Sequence, residues 1–179
     1  MNENYIISKY LKKLSLKNTS SKNLNDDIFF DKKNKIAISV DTYNEGVHFT
    51  DFKNPDLVIK KILRSSISDL IAKGVKPKYY FISAAAPKGI FNKKNLNKIV
   101  KSLKYEQNRY KIKISGGDTT FSKCLSFCVV SVGFSEKIIE RNNAKDKDDI
   151  YVTGFIGDSY IGLNVLNKKI KKISHIQKK

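Results

Sequence analysis

The chain is poor in arginine, cysteine and histidine, and it has no long apolar run. Arg64, Arg109 and Arg141 are its only arginines; the other basic residues are lysines spread from end to end. Surfaces that read bases lean on arginine. The formal net charge of +18, from 35 basic and 17 acidic residues, therefore reads as a lysine-rich solvated surface. It attracts polyanions non-specifically, and no specific nucleic-acid partner is expected. Cys124 and Cys128 are the only cysteines. On a strand they would share a face yet stand too far apart to bridge. They are not a Cys-x-x-Cys pair and have no histidine nearby, which excludes a zinc site; they read as buried reduced thiols in a strand. No apolar stretch approaches the ~18–20 residues that span a bilayer. Met1 to Lys12 mixes charge with aliphatics and does not read as a signal peptide. A cytoplasmic chain without a membrane partner is expected. No Gly-Lys-Ser/Thr sequence occurs, so there is no P-loop. The two histidines, His48 and His175, form no Ser–His–Asp or Cys–His pattern.

What is present suffices for a folded domain. The 179 residues are 40% hydrophobic and 29% charged, room for one domain and the opening of another. Apolar periodicity predicts a short helix over Tyr5–Leu14 and a loop over Lys17–Asn25. A strand follows over Lys35–Val40, then an amphipathic helix over Asp56–Lys73 that is stopped by Gly74 and followed by Pro77. Its apolar positions are Leu57, Ile59, Ile62, Leu63, Ile67, Leu70 and Ile71. Further strands are predicted over Tyr79–Ala86, Ile112–Ile114, Leu125–Phe134 and Asp148–Thr153. Helices are predicted over Asn92–Tyr110, with Leu96, Ile99, Val100 and Leu103 on one face, and over Ser159–Leu166. The expected fold is α+β (mixed α/β): an amino-terminal domain over residues 1–140, then a linker and an incomplete second α/β unit over 141–179. A strand, a glycine turn and one helix cannot bury a core alone.

The chemistry lies in short acidic or glycine-bearing segments. Asp26 and Asp27 are adjacent; on a strand they would point to opposite faces, one toward a metal and one toward a supporting contact. Their plain alternative is a polar turn. Asp41 is expected at a strand end, projecting into the crevice where open sheets bind ligands. Asp69 sits toward the apolar stripe of its helix, where a carboxylate is costly unless paired or bound to metal. A helical ion pair with Lys73 is the plain alternative. Gly116-Gly117-Asp118-Thr119-Thr120 combines glycines that let backbone approach a phosphate with a carboxylate and two hydroxyls. Gly157-Asp158-Ser159 sits at a helix start, suited to an anion or to capping by Asp158 or Ser159. Carboxylates gathered in one place need a cation between them. Mg²⁺ takes one or two carboxylates plus substrate phosphates, so a Mg²⁺–nucleotide site is the first reading.

In order and spacing these segments resemble the amino-terminal part of the thiamine-monophosphate kinase family. That family belongs to an ATP-binding superfamily with aminoimidazole ribonucleotide synthase and selenophosphate synthetase. The matching segments are Asp26-Asp27, Ser39-Val40-Asp41-Thr42, Glu45-Gly46-Val47-His48-Phe49, Ser68-Asp69-Leu70 with Gly74 and Pro77, Gly116 to Thr120, Arg141 with Ala144-Lys145, and Ile150 to Gly154 with Gly157-Asp158-Ser159. They cover residues 26 to 163.

The resemblance implies ATP-dependent phosphorylation of thiamine monophosphate by Mg²⁺-assisted in-line transfer. It implies that Asp27, Asp41, Asp69 and Asp118 hold Mg²⁺, with oxygens from Ser39 and the Val40 position. Gly117, Arg141 and Tyr110 would contact ATP, and His48 would touch thiamine monophosphate. The amino-terminal domains would pair, their sheets forming a barrel across a homodimer. Two departures stand out. Asn25 replaces the usual glycine before the acidic pair. Family members also run longer, with Asp-Leu-Ser-Asp-Gly and Gly-Glu-Asp segments that this sequence lacks. A fragment, a shortened product or half of a split enzyme is expected. Another ATP-dependent enzyme of the superfamily and a non-catalytic remnant that binds nucleotide or dimerises remain the alternatives.

Overall fold

The computed structural model describes residues 2–141, 144–154 and 156–170. Linker residues Asn142 and Asn143 and the lysine-rich tail with His175 lie outside them. The chain divides into two compact units, residues 1–143 and 144–179.

The first unit opens with helical turns of changing pitch. A short α1 (Glu3–Ile6), capped by Asn2, runs into a π turn at Ile7–Leu11 and a 3₁₀ turn at Lys12–Ser15. The Tyr5–Leu14 segment is thus helical, but not one regular α-helix. The predicted loop over 17–25 holds 3₁₀ turns at Thr19–Leu24. There Lys22, Asn23 and Leu24 all take positive φ, at 51°, 55° and 54°. Side chains adopt that conformation at a cost of ~1–2 kcal/mol each.

Six strands form one mixed sheet: β1 (Phe29–Asp31), β2 (Ile36–Asn44), β3 (Lys76–Ala86), β4 (Lys113–Gly116), β5 (Thr119–Phe121) and β6 (Ser126–Phe134). Their order is β1-β2-β6-β3-β4, with β5 also on β3. β6 runs antiparallel between β2 and β3, pairing Val40 with Val130 and Phe81 with Val130. β4 and β5 both lie parallel to β3, so they form one edge strand broken at Gly117-Asp118. β3 starts three residues before the predicted Tyr79. It accommodates Pro77 through an irregularity between Pro77 and Tyr79, since proline cannot donate to a ladder. β1 and β5 are three residues each, too short to leave a period in the sequence.

Two helices cover one face of the sheet. α2 (Pro55–Ala72) buries Val58, Ile59, Ile62, Leu63, Ile67 and Leu70. Leu57 and Ile71, expected on that face, are exposed. α3 (Lys93–Tyr110) is capped by Asn92, whose side chain accepts from the Asn95 N–H. Its inner face carries Ile99, Ser102 and Glu106, while Leu96 and Val100 are exposed. Glu106 is fully buried and is met by a two-pronged Arg64 at 2.8 and 2.7 Å. The opposite sheet face is apolar and open. Val40, Phe81, Ile114 and Phe134 are exposed, and Ile36, Ile38, Val130 and Val132 are only partly covered.

The second unit contains α4 (Asp158–Leu166), which buries none of its residues. The strand predicted over Asp148–Thr153 does not form: Ile150 and Tyr151 are almost fully exposed, and among the described residues no strand pairs with them. α4 starts after Gly157 with no side-chain cap, so capping by Asp158 or Ser159 is not what starts it. Among the described residues no helix is long and apolar enough to cross a membrane. Cys124 is exposed and precedes β6; Cys128 lies in β6, half-buried. The expectation of two buried strand thiols is corrected accordingly.

Candidate functional site

A cavity of about 540 Å³ opens where β1 leaves the edge of β2. β1 pairs with β2 only from Ile36 to Ile38. Beyond that point the cavity is lined by Val40 and Asp41 of β2, Asp69 of α2, Asn25, Asp26 and Asp27, Arg141, and Glu3, Asn4 and Ile7 of the N-terminal turns.

β2 alternates side chains, so Ala37, Ser39, Asp41 and Tyr43 share the helix-covered face. Asp41 therefore lies inside the strand, not at its end as expected, because pairing with β6 runs on to Asn44. The Ser39 hydroxyl donates to Asp69 Oδ2 at 2.7 Å. Tyr43 OH donates to Asp41 Oδ2 at 2.8 Å. Tyr43 is buried, and burial drives its hydroxyl far above the usual tyrosine range, helped by the Asp41 charge. It is a permanent neutral donor. Sequence reasoning missed it; the i, i+2 spacing from Asp41 on a strand is the signal that would have found it.

Asp69 is half-buried, and its carboxyl is raised above the ordinary value. Burial is the main cause, the Asp41 and Asp27 charges add to it, and the Ser39 hydrogen bond and Lys73 oppose it. The three carboxylates thus feel one another across one cavity. Lys73 does not pair with Asp69; it pairs with Asp26 at 2.5 Å. Arg141 donates to Asp27, which holds the guanidinium above its usual value. Lys22 bonds Glu140 beside it.

The other proposed residues lie apart from this cavity. Asp118 is exposed at the break between β4 and β5, where its Oδ1 accepts from the Thr119 N–H. Three strand spacings separate that edge from β2, roughly 14 Å. Gly117 packs so closely on β3 that a Cβ would stand 1.8 Å from the Ile82 carbonyl oxygen. Its glycine is thus required by the sheet edge as well as available to a ligand. Tyr110 ends α3, half-buried against the core under the Arg109 guanidinium. His48 Nδ1 accepts from the Asn44 N–H at 3.0 Å, and its ring stands edge-on to Tyr43 at 5.7 Å.

Among the described residues no three histidine, cysteine, aspartate or glutamate side chains stand close enough to grip one metal ion. Asp27 faces Arg141 and Asp41 faces Tyr43. The donor set is nonetheless all oxygen, charged and turned to one cavity, which fits a hard divalent cation.

Residues 25–135 match the family described as AIR synthase related protein, N-terminal domain. The chain belongs to this family. The matched AIR synthase related segment takes in Asp27, Asp41, Asp69 and Asp118 and stops short of Arg141. Among curated relatives, the chain is 38% identical over 174 residues to a thiamine-monophosphate kinase of Buchnera aphidicola from Schizaphis graminum, covering 94% of this chain and 53% of that protein. It is 32% identical over 132 residues to a thiamine-monophosphate kinase of Aquifex aeolicus, covering 74% and 43%. The chain thus spans about half the length of the curated relatives it matches. Its fold is similar to the Aquifex aeolicus thiamine monophosphate kinase crystal structure, with a TM-score of 0.75 at 28% identity over 93% of this chain and 58% of that one. It is also similar to AaThiL complexed with AMPPCP and TMP, with a TM-score of 0.80 at 28% identity over 99% and 58%.

Proposed function

We propose that this chain forms the nucleotide- and Mg²⁺-binding part of a thiamine-monophosphate kinase, an ATP-dependent phosphotransferase of the cytoplasm. The observation that carries this reading is the convergence of Asp27, Asp41 and Asp69 with Arg141 on one cavity. The similarity to named thiamine-monophosphate kinases and to a complex with AMPPCP and TMP supports the choice of substrate.

Asp27, Asp41 and Asp69, with oxygens of Ser39 and the Val40 backbone, would share Mg²⁺ with the nucleotide phosphates, no three of the carboxylates on one ion, and Asp118, three strand spacings away, would serve a separate ion or the nucleotide itself. When bound, Mg²⁺ neutralises phosphate charge and orients the transferring group. Arg141 would give up Asp27 to take a phosphate oxygen, which its planar fork matches as well as it does a carboxylate. Gly117 offers backbone at the broken edge strand, and Tyr110 contributes to the nucleotide side. His48 lies next to Tyr43 and hence to Asp41, on the side where thiamine monophosphate would bind. The phosphate oxygen of thiamine monophosphate attacks the γ-phosphorus of ATP, the bond to the β-phosphate oxygen breaks, and thiamine diphosphate and ADP result. Such transfer needs positioning and charge neutralisation more than a general base, in keeping with a site of carboxylates and one arginine.

The open apolar face of β2, β6 and β3 supports a homodimer, two sheets meeting as a barrel. A stable interface buries about 800 Å² per partner, and exposed Val40, Phe81 and Phe134 are the start of such a patch. Light scattering of the chain and of V132K tests this: a dimer lost in V132K is expected, and a folded wild-type monomer at high concentration contradicts it.

The activity test is formation of thiamine diphosphate from ATP, Mg²⁺ and thiamine monophosphate, by the chain alone and with the carboxy-terminal half of the Aquifex relative added. Little product is expected alone, because every charge at the transferring group must be held in place, and more on addition. Absence of product in both, with no nucleotide bound, contradicts the reading.

A further inference from the structure

Lys73 sits where three chain segments cross, and each segment delivers one group to the acidic cavity. It closes the C-terminal end of α2, one helical turn after Asp69. Its side chain is only 7% exposed and reaches the equally buried side chain of Asp26, 6% exposed, at 2.5 Å. Asp26 Oδ1 in turn accepts the backbone N–H of Asp27 at 2.8 Å. The Lys73 carbonyl accepts the Ile139 N–H at 3.0 Å, two residues before Arg141. Asp27, Asp69 and Arg141 therefore all take their places relative to this one residue.

An ammonium is not buried at a helix end for its own sake. Removing two ions from water is costly, and a well-packed apolar pair of similar volume is often no less stable. The pair has instead a geometrical consequence. The left-handed turn at Lys22 to Leu24 brings the chain to Asn25-Asp26-Asp27, and the Asp26 carboxylate is the point at which that segment is tied to α2. Burial alone would raise the Asp26 carboxyl; the hydrogen bond and charge of Lys73 and the Asp27 N–H hold it below its ordinary value. The ammonium also offsets the Asp69 charge. It thus moderates, from behind, the repulsion among carboxylates that line the cavity.

We propose that Lys73, acting through Asp26, is a positioning residue for the cation–nucleotide site: it fixes Asp27 and Arg141 relative to Asp69. This rests on the reading of the cavity given above. The sequence offered a helical ion pair between Lys73 and Asp69 as the plain alternative to a metal role for Asp69; the structure gives Lys73 another partner, Asp26, in a distant segment.

The test compares wild type, K73M, K73R and the doubly neutral D26N/K73M, each first checked for folding by circular dichroism. Two readouts are taken. The first is the Mg²⁺ concentration giving half-maximal binding of a fluorescent ATP analogue. We expect at least a ~10-fold rise in K73M and in D26N/K73M, the scale of outer-shell effects on metal affinity, with K73R recovering most of it. The second is hydrogen exchange of the Asp27 and Ile139 amides, which should lose protection in D26N/K73M while the β6 amides keep theirs. If D26N/K73M binds Mg²⁺ and analogue as wild type does, or keeps Asp27 and Ile139 protected, the positioning role is overturned. If wild type itself binds no analogue with Mg²⁺, the reading of the cavity fails, and the role assigned to Lys73 falls with it.

Discussion

The two edges of the sheet carry acids in opposite states. At the β2 edge the four aspartates are engaged: Asp69 by Ser39, Asp41 by Tyr43, Asp27 by Arg141 and Asp26 by Lys73. At the β4–β5 edge the Asp118 carboxylate meets, among the described residues, only the next residue's N–H, and Thr119 and Thr120 are exposed. The engaged edge is backed by α2 and by the N-terminal turns. The bare edge is a strand interrupted where Gly117 presses on β3. The difference teaches that one half of the candidate site is held by the fold itself, while the other half has contacts to gain from a ligand.

Variants can break this contrast, beginning with the strongest. D41N/D69N removes two charges from the engaged edge and should weaken Mg²⁺-dependent nucleotide binding by ~100-fold, measured by calorimetry; a change under ~3-fold would show that this edge is not the cation site. R64A strikes a buried pair away from both edges. It strands the buried Glu106 carboxylate and should lower stability by about 2 kcal/mol, less than a fully buried pair would because Arg64 is partly in water. Urea unfolding measures that loss, and nucleotide affinity should be unchanged once the chain is folded. D118N should weaken binding by ~10-fold and leave urea stability within ~0.5 kcal/mol of wild type. A stability loss above ~1 kcal/mol would show that Asp118 is structural after all.

The smallest effect is on pH dependence. The Asp69 carboxyl is raised in the fold, first by burial and then by the Asp41 and Asp27 charges. The folded, metal-free chain therefore holds that proton more tightly than the unfolded chain, whose value is near 3.8. Stability from this group is fully present below that value and is lost as pH rises through the folded one. D69N should flatten the curve there and leave the metal-free chain slightly more stable at neutral pH. A steeper curve in D69N would contradict the sign.

Much of the scaffold was legible, because long elements leave strong periods. The 18-residue α2 and α3 and the nine-residue β6 declare themselves by apolar spacing, and α2 also by the stop at Gly74. What escaped had no local signature. The three-residue β1 and β5 exist only because β2 and β3 offer them partners. Ile150 to Val152 reads as a strand by propensity, yet finds no strand to pair with among the described residues. Glu106 had no local signal that marked it, and its partner Arg64 comes from across the α2–α3 contact. At the site, the acids could be named from sequence, but their companions could not. Tyr43 for Asp41, Ser39 for Asp69 and Lys73 for Asp26 are choices made by sheet register and helix packing, across separations of up to 47 residues between Asp26 and Lys73. The likeness to a family supplied the roles, and the fold supplied the neighbours.

The central claim is that the carboxylates of the β2 edge serve a cation that carries a nucleotide. Calorimetric titration of the chain with ATP, with Mg²⁺ and with Mg²⁺ removed by a chelator, tests it directly. The account predicts binding that requires Mg²⁺ and collapses in D41N/D69N. Equal affinity with and without Mg²⁺, or Mg²⁺-dependent binding that survives in D41N/D69N, would contradict it.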